Sequence, residues 1–140
     1  MVLDVWSIIY YGRYYQSKKN SYMNYWWFCR NDYNIYYIKE LLSNYSYKSE
    51  QEIIDSGIYI AVFTTDIIAL EKRFMSYHNE KALENILKNC IDGDYDIAFK
   101  IYIERQHLED SWYIYEREEL CKAAIQWCIE NHISYKTYSN

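Results

Sequence analysis

Apolar and polar positions follow two rhythms along this chain. Up to residue 63 the apolar residues come in short, dense runs; from Thr65 onward they recur every three or four positions. The first rhythm suits strands and the second suits helices packed on one face. Leu3 to Tyr15 predicts a short helix with Val5, Ile8, Ile9 and Gly12 on one side, its far end weakened by the glycine. Ser21 to Phe28, dense in Tyr and Trp, predicts a strand; Asn31-Asp32 supplies a turn, and Asn34 to Ile38 returns as a second strand. Ser49 to Asp55 reads as one or two helical turns, stopped by Ser56-Gly57. Ile58 to Phe63 is apolar almost throughout and predicts a buried third strand.

The second rhythm predicts four helices. Thr65 caps one to about Tyr77, with Ile68, Phe74 and Met75 among its apolar positions. Asn79 caps another to about Cys90, with Ala82, Leu83, Ile86 and Leu87 as its inward stripe. Asp94 or Asp96 opens a third, to about Arg105, and the last runs from about Glu109 to Asn131. On that last helix Trp112, Leu120, Ala123, Ala124, Trp127 and Cys128 share a face, which predicts that Trp112 and Trp127 are largely buried. The expected fold is α+β: a small N-terminal antiparallel sheet with a helical C-terminal half. At 140 residues, with no linker or internal repeat, one domain spanning residues 1–140 is expected.

Composition adds one outlier. The chain holds 19 Tyr and 5 Trp but no Pro and only 3 Gly, a bias that AT-rich codons favour. Whatever its origin, Tyr places a large apolar ring with a polar tip wherever it is exposed, which makes it a contact residue. Charge is asymmetric too. Residues 1–30 carry Arg13, Lys18, Lys19 and Arg30 against Asp4, a balance of +3, so a net charge of −5 leaves −8 on the other residues. An acidic majority of that kind repels nucleic-acid backbones unless the basic end is segregated in space. No run approaches the ~18 apolar residues of a membrane span, and Met1 to Tyr15 lacks the pattern of a secretory signal. The expected setting is therefore a bacterial cytosol or a phage-infected cell, with the four Cys as reduced thiols.

Candidate chemistry is sparse. Asp92-Gly93-Asp94-Tyr95-Asp96 alternates carboxylates like a calcium loop, but the sixth and twelfth places hold Ile97 and Ile103 instead of Gly and Glu. A turn leading into a helix N-terminus accounts for it. Cys121, Cys128 and His132 share one helix face, but no Cys-x-x-Cys pair supports a metal site; buried thiols in a core account for them. His78, His107 and His132 each fall beside a predicted helix end. Glu116 with Glu119, and Glu118 with Lys122, are spacings of a solvated helix surface. No phosphate-cradling glycine loop or nucleophile motif is present. No catalytic residue, metal or cofactor is expected.

The C-terminal third carries Asp110-Ser111-Trp112-Tyr113-Ile114-Tyr115-Glu116-Arg117-Glu118, then Gln126-Trp127 through Ile133, preceded by Ala98-Phe99-Lys100-Ile101-Tyr102-Ile103-Glu104. This layout resembles uncharacterised protein family 0158, a group of small acidic bacterial proteins, over roughly Ile58 to Tyr135. That family's pattern has an Ala-Phe-Arg-Arg-Phe-Lys-Asp helix and a Trp-Tyr-x-Phe-Arg-x-Glu helix that ends in Glu-Trp and a terminal Ile. It also has a hairpin where this chain has Tyr22 to Ile38. Here Lys100, Ile101, Tyr102 and Ile103 replace Arg-Arg-x-Lys, and Glu116 replaces an Arg. The resemblance implies a kinship but no reaction; if those basic residues hold a phosphate or acidic ligand in relatives, that role is not expected here, the alternative being that they are only solvated charges.

The functional expectation is a non-enzymatic intracellular protein that binds another protein. Its candidate contact residues are Tyr14, Tyr15, Lys18, Lys19, Trp26 and Arg30 in the basic aromatic segment, and Glu116, Glu118 and Glu119 on the last helix. Small acidic Tyr-rich chains of this composition are common products of phages and mobile elements. The expected partner is accordingly host nucleic-acid or defence machinery with a basic groove, which the chain inhibits. The alternative is a nucleic-acid binder whose N-terminal rings stack bases while Lys and Arg hold phosphates.

Overall fold

A computed structural model of the chain describes residues 1–14, 24–44, 47–89 and 94–137. In chain order the elements are β1 (Leu3–Asp4), α1 (Val5–Ile8), β2 (Arg13–Tyr14), β3 (Trp26–Cys29), β4 (Ile35–Tyr37), α2 (Ile38–Ser43), α3 (Glu50–Asp55), β5 (Tyr59–Ala61), β6 (Thr65–Asp66), α4 (Ile67–His78), α5 (Glu80–Asn89), α6 (Tyr95–Arg105), α7 (Glu109–Glu130) and β7 (Tyr135–Lys136). The fold is α+β, with a small antiparallel sheet and a helical C-terminal half.

The sheet has the order β4-β3-β5, antiparallel throughout, with Trp27 opposite Tyr36 and Ala61. Were only one face of the sheet covered, alternation in β3 would leave every other ring in solvent. Instead Trp27, Phe28 and Cys29 are all buried, because this central strand is covered on both faces. Trp26 and Phe28 join one core with Ile60 and Val62 of the neighbouring strand region. Tyr25 and Trp27 join another with Tyr59 and Ala61. The two-residue period is intact; the second face is closed by Ile38 and Leu41 of α2 and Ile53 of α3. Strand β5, expected to be buried, is an edge strand and only half-buried.

A third core gathers Phe74 and Met75 of α4, Tyr95, Phe99 and Ile103 of α6, and the stripe Ala82, Leu83 and Ile86 of α5. Helix α7 runs along two of the cores. Its first half lays Trp112 and Tyr115 on the α4–α6 core. Its second half puts Leu120, Ala124, Trp127 and Cys128 against α1, β1 and Phe28. Trp127 is 6 % exposed, and its indole N–H donates to the Ala61 carbonyl at 2.9 Å. Trp112 is half-buried, edge-on to Phe99 at 4.9 Å.

Several sequence expectations change. The helix over Leu3 to Tyr15 shrinks to α1. Past Ile9 the chain turns, the Gly12 carbonyl accepts from the Thr65 amide at 2.7 Å, and β2 pairs in parallel with β6. Gly12 is required there: a Cβ would sit 2.0 Å from the Phe63 ring. Gly12→Ala is expected to lower stability by about 1–3 kcal/mol through overpacking, read as a lower urea midpoint with an unchanged m-value.

Helix α2 was not expected. It is six residues long and Tyr37 gives it no side-chain cap, so only the packing of Ile38 and Leu41 marks it. Asp66, not Thr65, caps α4, accepting from the Ala69 amide at 3.2 Å. Asn79 caps α5 as expected, accepting from Ala82 at 3.1 Å.

Helices α6 and α7 end alike. His107 and His132 adopt φ of 55° and 56°. Leu108 N donates to Ile103 O and Ile133 N to Cys128 O, both at 2.9 Å. These are αL stops in which His takes the place usually given to Gly. His132→Gly is expected to raise stability by about 0.5–1 kcal/mol by removing the left-handed penalty; an unchanged or lower thermal midpoint would show that the imidazole has a compensating role.

Candidate functional site

The aromatic N-terminal half assembles around the β3–β4 hairpin. Its turn is fixed by Asp32, whose carboxylate accepts from the Asn34 amide and the Tyr36 hydroxyl. Burial pushes the Asp32 carboxyl up, but the Tyr36 and Asn34 hydrogen bonds prevail and hold it below the ordinary aspartate value. Tyr33 closes the turn at φ 60°, with its amide donating to Cys29 O at 2.9 Å. A left-handed Tyr is uncommon and costs of order 1 kcal/mol or more. Here the strain sets the Tyr33 ring edge-on to Phe28 at 5.0 Å.

Beside this turn lies an open depression of about 440 Å³ between α1 and the hairpin. Leu3, Tyr11, Tyr33 and Ile35 give it an apolar and aromatic lining. Ser7, Asn34, Tyr36 and Glu40 add polar atoms. Tyr11 is held by Trp26, edge-on at 4.7 Å. Glu40 is the only ionisable carboxylate in the lining, is exposed in the first turn of α2, and has no ion-pair partner among the described residues.

The candidate contact residues divide. Trp26 is half-buried behind Tyr11. Tyr14 pairs through its backbone with Asp66, and Tyr15, Lys18 and Lys19 lie outside the described residues. Arg30 is exposed and donates to the Asn131 carbonyl at the end of α7, 3.1 Å away, where a cation suits the helix dipole. Glu118 is exposed. Glu119, not Glu118, takes Lys122, at 3.3 Å, and also faces Arg73 at 3.9 Å.

Glu116 requires a correction. It is 8 % exposed, so it is no part of a solvated acidic face. Arg13 Nη2 lies 3.2 Å from each of its carboxylate oxygens. Burial pushes the Glu116 carboxyl up, against the pull of Arg13. Close by, Glu71 of α4 is 1 % exposed. Burial and the hydrogen bond to Asp96 push its carboxyl up to about 9, so at neutral pH it is protonated and donates to Asp96. Asp96 is also raised by burial, but the Glu71 and Lys100 hydrogen bonds outweigh this and hold it low; Lys100 Nζ lies 3.0 Å away. Arg13, Glu71, Asp96, Lys100 and Glu116 thus form an ionic seam joining β2, α4, α6 and α7.

The seam was readable in part. Glu71 stands on the helical stripe Ile67, Leu70, Phe74, Met75, and Glu116 on the four-residue row Trp112, Glu116, Leu120, Ala124; a carboxylate on an inward stripe signals a buried charge. The depression had no such signal, since residues 3–11 and 33–40 meet only through the fold.

Cys29, Cys121 and Cys128 are free thiols, and burial pushes Cys128 up to about 11, far from a reactive thiolate. His132 is exposed past the end of α7, so the Cys121, Cys128 and His132 grouping does not converge. Among the described residues no group of three His, Cys, Asp or Glu is placed to hold a metal ion. No described helix is long and apolar enough to cross a membrane. No family model, curated protein or solved structure matches this chain.

Proposed function

We propose that this chain is a non-enzymatic binding protein whose partner is another protein, engaged through the aromatic N-terminal face. One observation carries the reading: Tyr11 and the strained Tyr33 line an open depression beside Glu40, which has no ion pair among the described residues. Tyr, even half-buried as here, supplies contact area at low entropic cost and is enriched among the residues that dominate interface energetics. With −8 outside residues 1–30, the partner surface that fits best is basic. A nucleic-acid-handling host protein, inhibited by a phage or mobile-element product in a bacterial cytosol, has that chemistry. Kinship with uncharacterised protein family 0158 remains part of the proposal and rests on the Trp and Ile positions quoted above.

The basic segment weighs against nucleic acid as the ligand. Of its four cations, Arg13 is engaged by Glu116 and Arg30 by the end of α7, so few remain to neutralise phosphates. No binding to single-stranded or duplex oligonucleotides is expected at physiological salt. The deciding experiment is affinity capture from a low-GC bacterial lysate with the wild type and with Tyr11→Ala/Tyr36→Ala. A partner held by the first and lost by the second is expected. Turnover on a nucleotide or peptide panel without any captured partner would overturn the reading.

A further inference from the structure

The depression between α1 and the hairpin combines three properties that select one kind of side chain. Tyr11 and Tyr33 are among its lining residues, and an aromatic ring attracts a cation over its face. Its polar lining residues, Glu40, Tyr36, Ser7 and Asn34, can all accept hydrogen bonds. Its lining contains one negative charge and no cation. A planar guanidinium, with five donors and a face that stacks on rings, suits several acceptors beside aromatic residues better than a compact ammonium. The chain uses the same chemistry internally: the Arg117 guanidinium sits 4.7 Å from the Trp6 ring and 5.3 Å from the Tyr113 ring, and donates to the Tyr113 hydroxyl at 3.0 Å.

We propose that this depression anchors an arginine side chain from a basic segment of the partner, stacked on the tyrosine rings and paired with Glu40. The inference rests on the protein-binding reading and names the group recognised. Glu40 has no competing ion pair among the described residues, so the incoming guanidinium displaces no internal partner. The strained Tyr33 backbone holds the turn that carries Asn34 to the site before the ligand arrives, a form of preorganisation.

The test uses the full chain and the capped peptide acetyl-Gly-Arg-Gly-Arg-Gly-amide, followed by amide chemical shifts. Saturable shifts at Ser7, Asn34 and Glu40 are expected, with a much weaker response to the Gly-Ser analogue. Glu40→Gln is expected to weaken binding about tenfold or more, the value of a charge-assisted hydrogen bond. Ser7→Arg, at an exposed position, places a tethered guanidinium beside the site and is expected to abolish peptide binding. Both substitutions are on the surface, and an unchanged circular-dichroism melt confirms the fold. Equal affinity for the Gly-Ser analogue, or unaltered binding by both variants, overturns the inference. If a captured partner is retained by Glu40→Gln and Ser7→Arg alike, the arginine anchor falls while the protein-binding reading stands. If the peptide binds as expected but no partner is captured, the anchor stands and the protein-binding reading falls.

Discussion

Arg13→Ala is expected to lower the stability of this protein by about 2–4 kcal/mol, far more than a surface arginine would. The reason lies in Glu116. With its side chain 10 % exposed and that of Arg13 29 % exposed, the pair is substantially desolvated. Removing the guanidinium leaves a carboxylate in a site that already disfavours its charge. Breaking a buried pair from one side costs about 3–5 kcal/mol, and the partial exposure of Arg13 places this case toward the lower end. The companion result is the rescue. Arg13→Met combined with Glu116→Leu removes both charges and is expected to recover most of the loss. Urea unfolding of the two single variants and the double variant measures the coupling. If the single effects add within about 0.5 kcal/mol, the two side chains are energetically independent and the seam is not a unit. Loss of partner binding after an Arg13 substitution would be confounded by destabilisation, so charge removal on the N-terminal face has to leave Arg13 in place.

Glu71→Gln is expected to do the opposite, and only above acidic pH. The folded Glu71 carboxyl is pushed up to about 9 from an ordinary 4.5. The folded chain therefore keeps a proton that the unfolded chain releases. The stability from this group is fully present below pH 4.5 and is lost as pH rises from there toward 9. The slope approaches ~1.4 kcal/mol per pH unit for one fully coupled group. Glu116, also raised, pulls in the same direction. Asp96, held low, acts on the acid side instead: its contribution is present above an unfolded value of 3.8 and falls away below it. The seam thus favours stability near pH 4–5 and weakens it toward pH 8. Gln keeps an N–H to donate to Asp96 but has no proton to lose. At pH 8 the variant is expected to be more stable by about 2–4 kcal/mol, a rise of roughly 6–12 °C in Tm for a chain of this size. At pH 4.5 the difference should nearly vanish. Thermal scans of both proteins from pH 4 to 9 provide the check, and parallel curves across that range would show that Glu71 titrates normally in the folded state.

The same residues show how far the chain can be read before it is folded. Helices α4 to α7 follow from local spacing: Leu83 and Ile86 recur on one side of α5, and Leu120, Ala124 and Trp127 on one side of α7. The Asn79 cap and the turn after Cys29 are equally local, because each depends on hydrogen bonds between residues a few positions apart. The α+β layout follows from these pieces. What the tertiary structure decided depends on residues distant in sequence. β1 pairs with β7, Leu3 opposite Tyr135, and β2 with β6, and no local pattern encodes a partner so far along the chain. These pairings stop the first helix after one turn. The second cover on β3 comes from α2 and α3, so alternating rings that could have faced water are buried on both sides. Glu116 has the spacing of a core position and the chemistry of a surface one; the proximity of Arg13, 103 residues earlier, lets it be buried. The depression likewise exists only where α1 meets the hairpin. Local hydrogen bonding and helical periodicity are written into consecutive residues, whereas burial of charge and the shape of a surface depend on which distant segments are brought into contact.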